Sequence, residues 1–310
     1  MKIINKVKDI NDLKIYEDQD LTKFSTMRLK SVGDLYVVST VEALSSLLKV
    51  FTKNNLSYNI LGWGANQLLP EKINNPVIKL DFKFDKNYLS IARNEYVLPA
   101  SVSLAVLSSH ATKNGISGWE VFTGIPASLG GAIFMNAGTN LGEIGELVKS
   151  VKIMTKSGDI REHVIEESDF SYRKNNFLRE GEILIEATLT HKGIDPSITE
   201  KIKSYLALRN KTQPLKEFTC GCIFKNYVSN ENLKSKIGMK TCRAGQAIDI
   251  IGLKGFKTNS LRVSPKHANF MENFGNSSVE DVNELITKVN KVLEWQFGIK
   301  FETEVKIPKG

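Results

Sequence analysis

A chain mixing helices and strands around a glycine-rich middle is what the sequence predicts, and three observations predict it. Residues 44–51 and 282–293 repeat apolar side chains at helical spacing behind Ser-x-x-Glu boxes, Ser39 with Glu42 and Ser277 with Glu280. Residues 150–154 and 160–165 alternate and are joined by Lys-Ser-Gly-Asp, the signature of a β-hairpin. Residues 118–146 place Gly124, Pro126, Gly130, Gly131 and Gly138 in a run otherwise made largely of small and apolar residues, where a surface linker would be polar. Glycine lets the backbone take positive φ and approach another group closely, so this stretch reads as a buried wall against a ligand or as a pair of tight turns in a core.

The composition narrows the function classes. With 41% apolar and 25% charged residues in 310, the chain has a core and is not disordered. Lys plus Arg exceeds Asp plus Glu by 42 − 34 = 8, but the excess is scattered. It suits a phosphorylated small substrate as well as nucleic acid. A nucleic-acid-binding protein would show clustered Lys and Arg with interleaved aromatics, and the sequence shows neither. Cys220, Cys222 and Cys242 are too few and too clustered for a disulfide framework, so reduced thiols are expected. Residues 1–14 are charged throughout, and no apolar run approaches bilayer length, so a cytoplasmic protein with no membrane partner is expected.

In chain order, a helix is predicted over 41–53, then a short strand at 58–61 that runs into Gly62, Trp63, Gly64, Ala65 and Asn66. Successive amides in such a turn form an anion-binding nest, which makes it a phosphate-loop candidate. It is not a dinucleotide fingerprint, because the third glycine is missing and Pro70 interrupts any helix. A strand follows at 77–82, and Leu104, Leu107 and Ala111 share a helix face that Gly115 terminates. Residues 169–177, which include Arg173, read as a loop, and an isolated arginine there is either a solvated surface group or a site residue. A strand at 183–190 precedes a helix opened by Asp195 and Pro196 and ending near Asn210. Cys220-Gly221-Cys222 forms a second small-residue turn. A Cys-x-Cys pair can ligate a soft metal, yet it lacks a companion Cys/His pair, and burial of the thiols is the other reading; no metal is assigned. A short helix at 244–251 stops at Gly252, the stripe Val282, Leu285, Ile286, Val289, Val292 and Leu293 is core, and 300–308 alternate enough to be a strand. Glu302 and Glu304 would then point the same way, as a carboxylate pair or as two solvated glutamates.

Taken together and in this order, these stretches resemble the UDP-N-acetylenolpyruvoylglucosamine reductase family. Residues 62–66 resemble its Gly-x-Gly-Ser-Asn loop, and GIPASLGGAIFMNAG resembles its Gly-Ile-Pro-Gly-Thr-Val-Gly-Gly-Ala…Asn-Ala-Gly segment. SYRKNNF resembles Tyr-Arg-x-Ser-x-Phe, and QPLKEFTCGCIFKN resembles Gln-Pro…Gly-Ser-x-Phe-Lys-Asn-Pro; GLKG, SPKHANF and the final Glu-Val complete the set. The matches run from 26 to 306. Ala65 stands where the family has Ser, Ala127 where it has Gly, Tyr227 where it has Pro, and Cys222 where its proton donor is Ser. The short span between Phe177 and Gln213 is similar to the subtype lacking the substrate-covering tyrosine loop.

The resemblance implies an α+β protein: an FAD-binding portion of the PCMH/vanillyl-alcohol-oxidase type in two subdomains, 1–82 (with the C-terminal strand 304–310) and 83–212, and a separate α/β substrate-binding domain, 213–303. It implies reduction of UDP-N-acetylglucosamine enolpyruvate to UDP-N-acetylmuramate in bacterial peptidoglycan synthesis, with FAD as cofactor, NADPH as hydride donor and no obligatory protein partner. The implied catalytic residues are Arg173, to stabilise the charge left by hydride addition, Cys222, to protonate carbon, and Glu304, to assist. The implied FAD contacts are Gly62, Trp63, Gly64, Ala65, Asn66, Gly124, Ile125, Pro126, Ala127, Ser128, Gly130, Gly131, Ala132, Asn136 and Ala137. The substrate would meet Tyr172, Lys225 and Asn226, with 254–267 nearby. Lys225 and Cys222 are expected to be apart, because a lysine beside the thiol would favour the thiolate, which cannot donate. An FAD-dependent sugar or alcohol oxidase is the alternative enzyme, and the Arg173, Cys222, Glu304 combination is what it would lack.

Overall fold

A computed structural model describes residues 3–228 and 241–308. The chain divides into a first unit, Met1–Gln19, Gly33–Trp63 and Asn74–Ala207, and a second, Asp20–Val32, Gly64–Ile73 and Leu208–Gly310. Two short segments from the first 82 residues thus cluster with the C-terminal third, because Met27, Leu29 and Leu68 bury into its core and not into that of their sequence neighbours.

The first unit is built on two four-stranded sheets. In the N-terminal one, β1 (Leu13–Asp20), β2 (Val32–Val38), β3 (Asn59–Ile60) and β4 (Lys72–Leu80) lie in the order β1-β2-β4-β3, with β3 parallel to β4. The helix α1 is the single turn Ile4–Val7, and α2 (Val41–Lys53) buries Leu44, Leu47, Leu48 and Phe51 in a cluster with Tyr36, Val38 and Ile78. Each of these side chains contributes about 2 kcal/mol of burial. The helix spans the predicted residues, but its cap is Thr40 and not Ser39: the Thr40 hydroxyl accepts from the Ala43 amide at 3.2 Å. Either hydroxyl fits the cap, and the apolar stripe does not fix the choice to one residue.

The other sheet orders β5 (Tyr96–Pro99), β8 (Val148–Met154), β9 (Ile160–Val164) and β12 (Ile183–Leu189) as β5-β12-β8-β9, antiparallel throughout. The β8–β9 hairpin is the one foreseen, with Gly158 at φ +85° in its turn. The helix α3 (Leu104–Asn114) ends on left-handed Gly115, φ +66°. Behind it Trp119 is fully buried against Tyr96, at 4.6 Å between ring centroids, and its indole nitrogen donates to the Thr190 carbonyl at 2.8 Å. The glycine-rich stretch contains a helix the sequence reading did not contain, α4 (Leu129–Phe134), started by the Ser128 hydroxyl. Short pairs β6 (Gly138–Thr139) with β7 (Gly142–Glu143) and β10 (Phe170–Ser171) with β11 (Lys174–Asn175) follow, and α5 covers Ile198–Thr212.

In the second unit, β13 (Tyr227–Val228) pairs with β14 (Thr241–Cys242), and β15 (Leu261–Val263) with β16 (Met271–Asn273). The helices α6 (Ala244–Ile250) and α7 (Val279–Phe297) pack on them, and α7 buries Val282, Leu285, Val289 and Leu293. Its cap is Ser278 with Asp281 and not Ser277 with Glu280. The Ser277 hydroxyl is buried and donates to Asn273 Oδ1 at 3.0 Å, which removes it from the helix end. The tail is not a regular strand. Thr303 pairs with Phe224 and Lys306 with Gln67, while the Asn290 amide takes both backbone groups of Phe301, so three partners share what one neighbouring strand would supply. Residues 309 and 310 of the expected strand lie outside the described residues. Among the described residues no helix is long and apolar enough to cross a membrane.

Candidate active site

In the first unit the glycine-rich stretch lies along residues 100–104. Leu104 N donates to Ala127 O at 3.0 Å, Leu129 N to Val102 O at 2.7 Å and Gly130 N to Ala100 O at 2.8 Å. This register assigns different tasks to the glycines. A Cβ on Gly130 would come within 2.8 Å of Ala100 Cβ, so Gly130 is there for packing. A Cβ on Gly62 would sit 3.3 Å, and one on Gly131 3.2 Å, from the Ser128 hydroxyl, to which the Gly131 amide donates. Gly62, Ser128 and Gly131 therefore form one small concave patch that side chains would fill. Around it Gly124 and Pro126 are exposed, Ile125, Ala127 and Ala137 partly buried, and Ala132 buried. Trp63 is 45% exposed. Such a patch lets a flavin diphosphate approach the backbone closely, while the Leu129, Gly130 and Gly131 amides themselves donate within the protein.

The rest of the 62–66 loop belongs to the second unit. Gly64 has φ +62°, and a Cβ there would lie 2.2 Å from the Phe24 carbonyl oxygen, so no other residue fits. Its own carbonyl accepts from Thr26 N at 3.2 Å. Ala65 is half-buried, and Asn66 works on protein: its amide donates to the Glu304 carbonyl at 3.2 Å, and its carbonyl accepts from Lys306 N at 3.0 Å.

Arg173 sits at a tight turn where the sequence suggested only a loop. Ser171 pairs with Lys174, leaving Tyr172 and Arg173 as the two turn residues, and Arg173 takes φ +58°. An arginine in that region is strained by about 1 kcal/mol or more and is held by its surroundings. Its guanidinium donates to the Gly138 carbonyl at 3.1 Å, lies 3.9 Å from Glu143 Oε1 and stacks 5.1 Å from the Tyr172 ring centroid. Asn136, buried and itself at φ +42°, ties these parts together. Its amide donates to Glu143 Oε2 at 2.6 Å and to the Ser171 carbonyl at 3.1 Å, and its oxygen accepts from Gly145 N at 3.1 Å. Asn136 was expected beside the cofactor, and its side-chain bonds also bracket the Arg173 turn.

In the second unit the Cys222 and Glu304 segments are neighbours. Phe224 pairs with Thr303, Glu304 N donates to Ile223 O at 2.7 Å and Lys225 N to Glu302 O at 2.9 Å. On its other side the Cys222 segment is held by residues 269 and 270. Cys222 pairs with Phe270, Ile223 N donates to Asn269 O at 2.9 Å, and the Asn269 side chain takes both Phe224 N, at 3.0 Å, and Phe224 O, at 2.8 Å. The two thiols of the Cys-Gly-Cys turn differ. Cys220 is buried, 3.4 Å from Met27 Sδ, and burial pushes its pKa up to about 12; Cys222 is partly exposed. Glu304 is partly buried, whereas Glu302 is exposed and its carboxylate takes the Lys225 ammonium at 3.1 Å. Asn226 Oδ1 accepts from Ala244 N at 3.0 Å at the start of α6.

Three residues of this architecture went unnoticed in the sequence: Glu143, Asn269 and Lys79, whose ammonium donates to the Gly62 carbonyl at 3.2 Å. Glu143 and Asn269 lie inside stretches already singled out, and what distinguishes them is a bond to a residue far along the chain. Lys79 lies inside an apolar strand pattern, between Ile78 and Leu80, and nothing in its neighbourhood marks it.

Residues 213–308 match a family model described as the C-terminal domain of UDP-N-acetylenolpyruvoylglucosamine reductase, and residues 35–163 match one described as an FAD binding domain. The chain is 31% identical to the UDP-N-acetylenolpyruvoylglucosamine reductase of Bacillus subtilis, over 100% of this chain and 99% of the relative. It is 32% identical to that of Chlamydia pneumoniae, over 93% and 90%. Its structure is similar to the crystal structure of the reductase from Thermus caldophilus, with a TM-score of 0.76 at 28% identity over 96% of this chain and 99% of that one. The α+β class, with an FAD-binding portion and a separate C-terminal domain, agrees with these matches. At these identities over nearly full length, the chain belongs to the UDP-N-acetylenolpyruvoylglucosamine reductase family.

Proposed function

We propose that the chain reduces UDP-N-acetylglucosamine enolpyruvate to UDP-N-acetylmuramate with electrons from NADPH, a step in bacterial peptidoglycan precursor synthesis. Beyond the family relationship, the observation that carries this reading is the pairing of the Cys222 segment with the Glu304 segment in one unit. It puts a thiol and a carboxyl on adjacent stretches of backbone, both short and both held by several hydrogen bonds. Bound FAD supplies the two-electron chemistry that links NADPH to the enolpyruvyl group.

The protein's share is placement, charge and one proton. Hydride addition to the terminal enolpyruvyl carbon leaves an electron pair on the neighbouring carbon, delocalised into the carboxylate. Arg173, which cannot be deprotonated, stabilises that charge, and its strained turn and the Asn136 bracket fix where the guanidinium stands. Cys222 gives its proton to that carbon and recovers one from solvent. A thiol is a stronger acid than the serine hydroxyl of the family pattern, so the exchange keeps the role. Cys220 does not serve, because its thiol is buried. Glu304, pinned through its backbone by Ile223 and Asn66, assists by donating as a neutral carboxyl or through water.

Residues 62–66, 124–132, Asn136 and Ala137 are the proposed FAD-holding set, in the portions 1–82 and 83–212. Tyr172, Lys225 and Asn226 are proposed for the sugar nucleotide, the last two from the 213–303 portion. The test is product isotope content: with ordinary NADPH in deuterium oxide, UDP-N-acetylmuramate should carry deuterium on the lactyl carbon next to the carboxylate, the position that Cys222 protonates. Substrate-dependent oxygen uptake without consumption of NADPH would instead mark an oxidase and overturn the assignment.

A further inference from the structure

β4 delivers Lys79, a partly buried lysine, to the first residue of the glycine loop, where its ammonium donates to the Gly62 carbonyl at 3.2 Å. Burial lowers its pKa, with the Asp81 carboxylate acting the other way, so a positive charge is kept in a place that disfavours it. Such a charge is explained when an anion binds near it.

The local covalent geometry says how it would act. In a trans peptide the carbonyl and the following N–H point in opposite directions, and among the described residues every peptide is trans. Fixing the Gly62 carbonyl on Lys79 therefore turns the Trp63 amide to the opposite side. The charge-assisted hydrogen bond also polarises that peptide, which makes the Trp63 N–H a stronger donor. The neighbouring surface is the patch described above, where neither Gly62 nor Gly131 places a side chain against the Ser128 hydroxyl.

We propose that Lys79 is a positioning residue for the flavin diphosphate, locking the Gly62–Trp63 peptide so that its amide faces the phosphates and lending positive charge from behind the loop. This rests on the reading that residues 62–66 cradle the diphosphate. Lys79 need not touch the ligand, so its part is distinct from that of the loop amides.

The experiment compares two flavins. Full-length protein freed of flavin is titrated with FAD and with riboflavin, which has the ring system but no phosphate, and binding is read from quenching of flavin fluorescence. For Lys79→Met, FAD affinity should fall about 10- to 100-fold, with riboflavin affinity unchanged within about twofold. Lys79→Arg should retain most of the FAD affinity, and Lys79→Gln, which keeps a donor without the charge, should fall between. Added salt should weaken FAD binding more steeply in the wild type than in Lys79→Met. Equal losses for FAD and riboflavin would mean a merely structural lysine and would overturn the proposal, as would unchanged FAD binding. If Lys79→Met does not fold, the Arg and Gln variants carry the comparison: equal FAD affinities in those two would overturn the charge argument. A wild type that does not prefer FAD over riboflavin would instead sink the cradle reading on which the proposal rests.

Discussion

The candidate groups of the two units are made of different materials. In the first unit the proposed flavin-holding patch is backbone, with Gly62 and Gly131 both close to the Ser128 hydroxyl, and side chains matter mainly by their absence. In the second unit the reactive groups are side chains, Cys222 and Glu304, carried on short paired segments that Asn269 and Asn66 hold in place. A backbone site tolerates changes of side chain and fails on changes of glycine. A side-chain site tolerates a swap that keeps the chemistry. On the proposed roles, two departures from the family pattern fit this division: Ala127 falls where backbone would do the binding, and Cys222 would replace one proton donor by another.

The sharpest way to break the comparison is at Gly64. A methyl group there meets the Phe24 carbonyl at 2.2 Å on a left-handed backbone, so Gly64→Ala should lose about 3 kcal/mol or more. Thermal melts and the flavin content of the purified protein check this, and a variant that stays yellow with an unchanged Tm would contradict the backbone account. The next largest effect is chemical. Cys222→Ala should fold and bind FAD normally but slow flavin reoxidation by substrate by about 10²- to 10⁴-fold, whereas Cys222→Ser should stay within about tenfold of wild type. Rapid-mixing absorbance separates the two, and equal rates for Ala and wild type would remove Cys222 from the mechanism.

Asn269→Ala tests the bracket around Cys222. It leaves Phe224 N and O without partners in a buried place, which costs about 2 kcal/mol or more. Unfolding in urea should show that loss while FAD affinity stays the same, and a matching fall in FAD affinity would mean that the halves are not separable in this way. The smallest effect is a pH dependence of the same bracket. His267 Nδ1 accepts from Asn269 N at 3.3 Å, which requires a neutral ring. Burial lowers its pKa, its own backbone contact acts in the opposite sense, and Lys254 lowers it further. A histidine with a depressed folded pKa gives stability that is present above the unfolded value of about 6.5 and is lost as pH falls through that value and below it. With the ring partly open to solvent, the slope should be well under ~1.4 kcal/mol per pH unit, and His267→Asn should flatten it.

How far the sequence goes depends on the same difference in material. Periodicity found α2, α3, α5, α7 and the β8–β9 hairpin, because each repeats its apolar side chains at the period of its own backbone. It missed α4, where small residues and glycines show no stripe, and it overread the tail, whose backbone partners come from Phe224, Gln67 and Asn290. Both helix caps were displaced by one residue, since adjacent hydroxyls are equivalent until the chain is packed. The glycine loops stood out by their own residues as candidate ligand walls, whereas roles for Arg173 and Cys222 came only from resemblance to a family. The residues that hold them, Asn136 as a bracket, Glu143, Asn269 and Lys79, were not, because each acts through a bond to a distant part of the chain. Periodicity carries no trace of such bonds.

The most direct test of the central claim is a visible spectrum taken under anaerobic conditions. The purified protein should show oxidised flavin, bleach with NADPH, and recover its colour when UDP-N-acetylglucosamine enolpyruvate is added. A colourless protein that takes up no FAD, or a bleached flavin that this substrate leaves reduced and only oxygen restores, would contradict the reductase account.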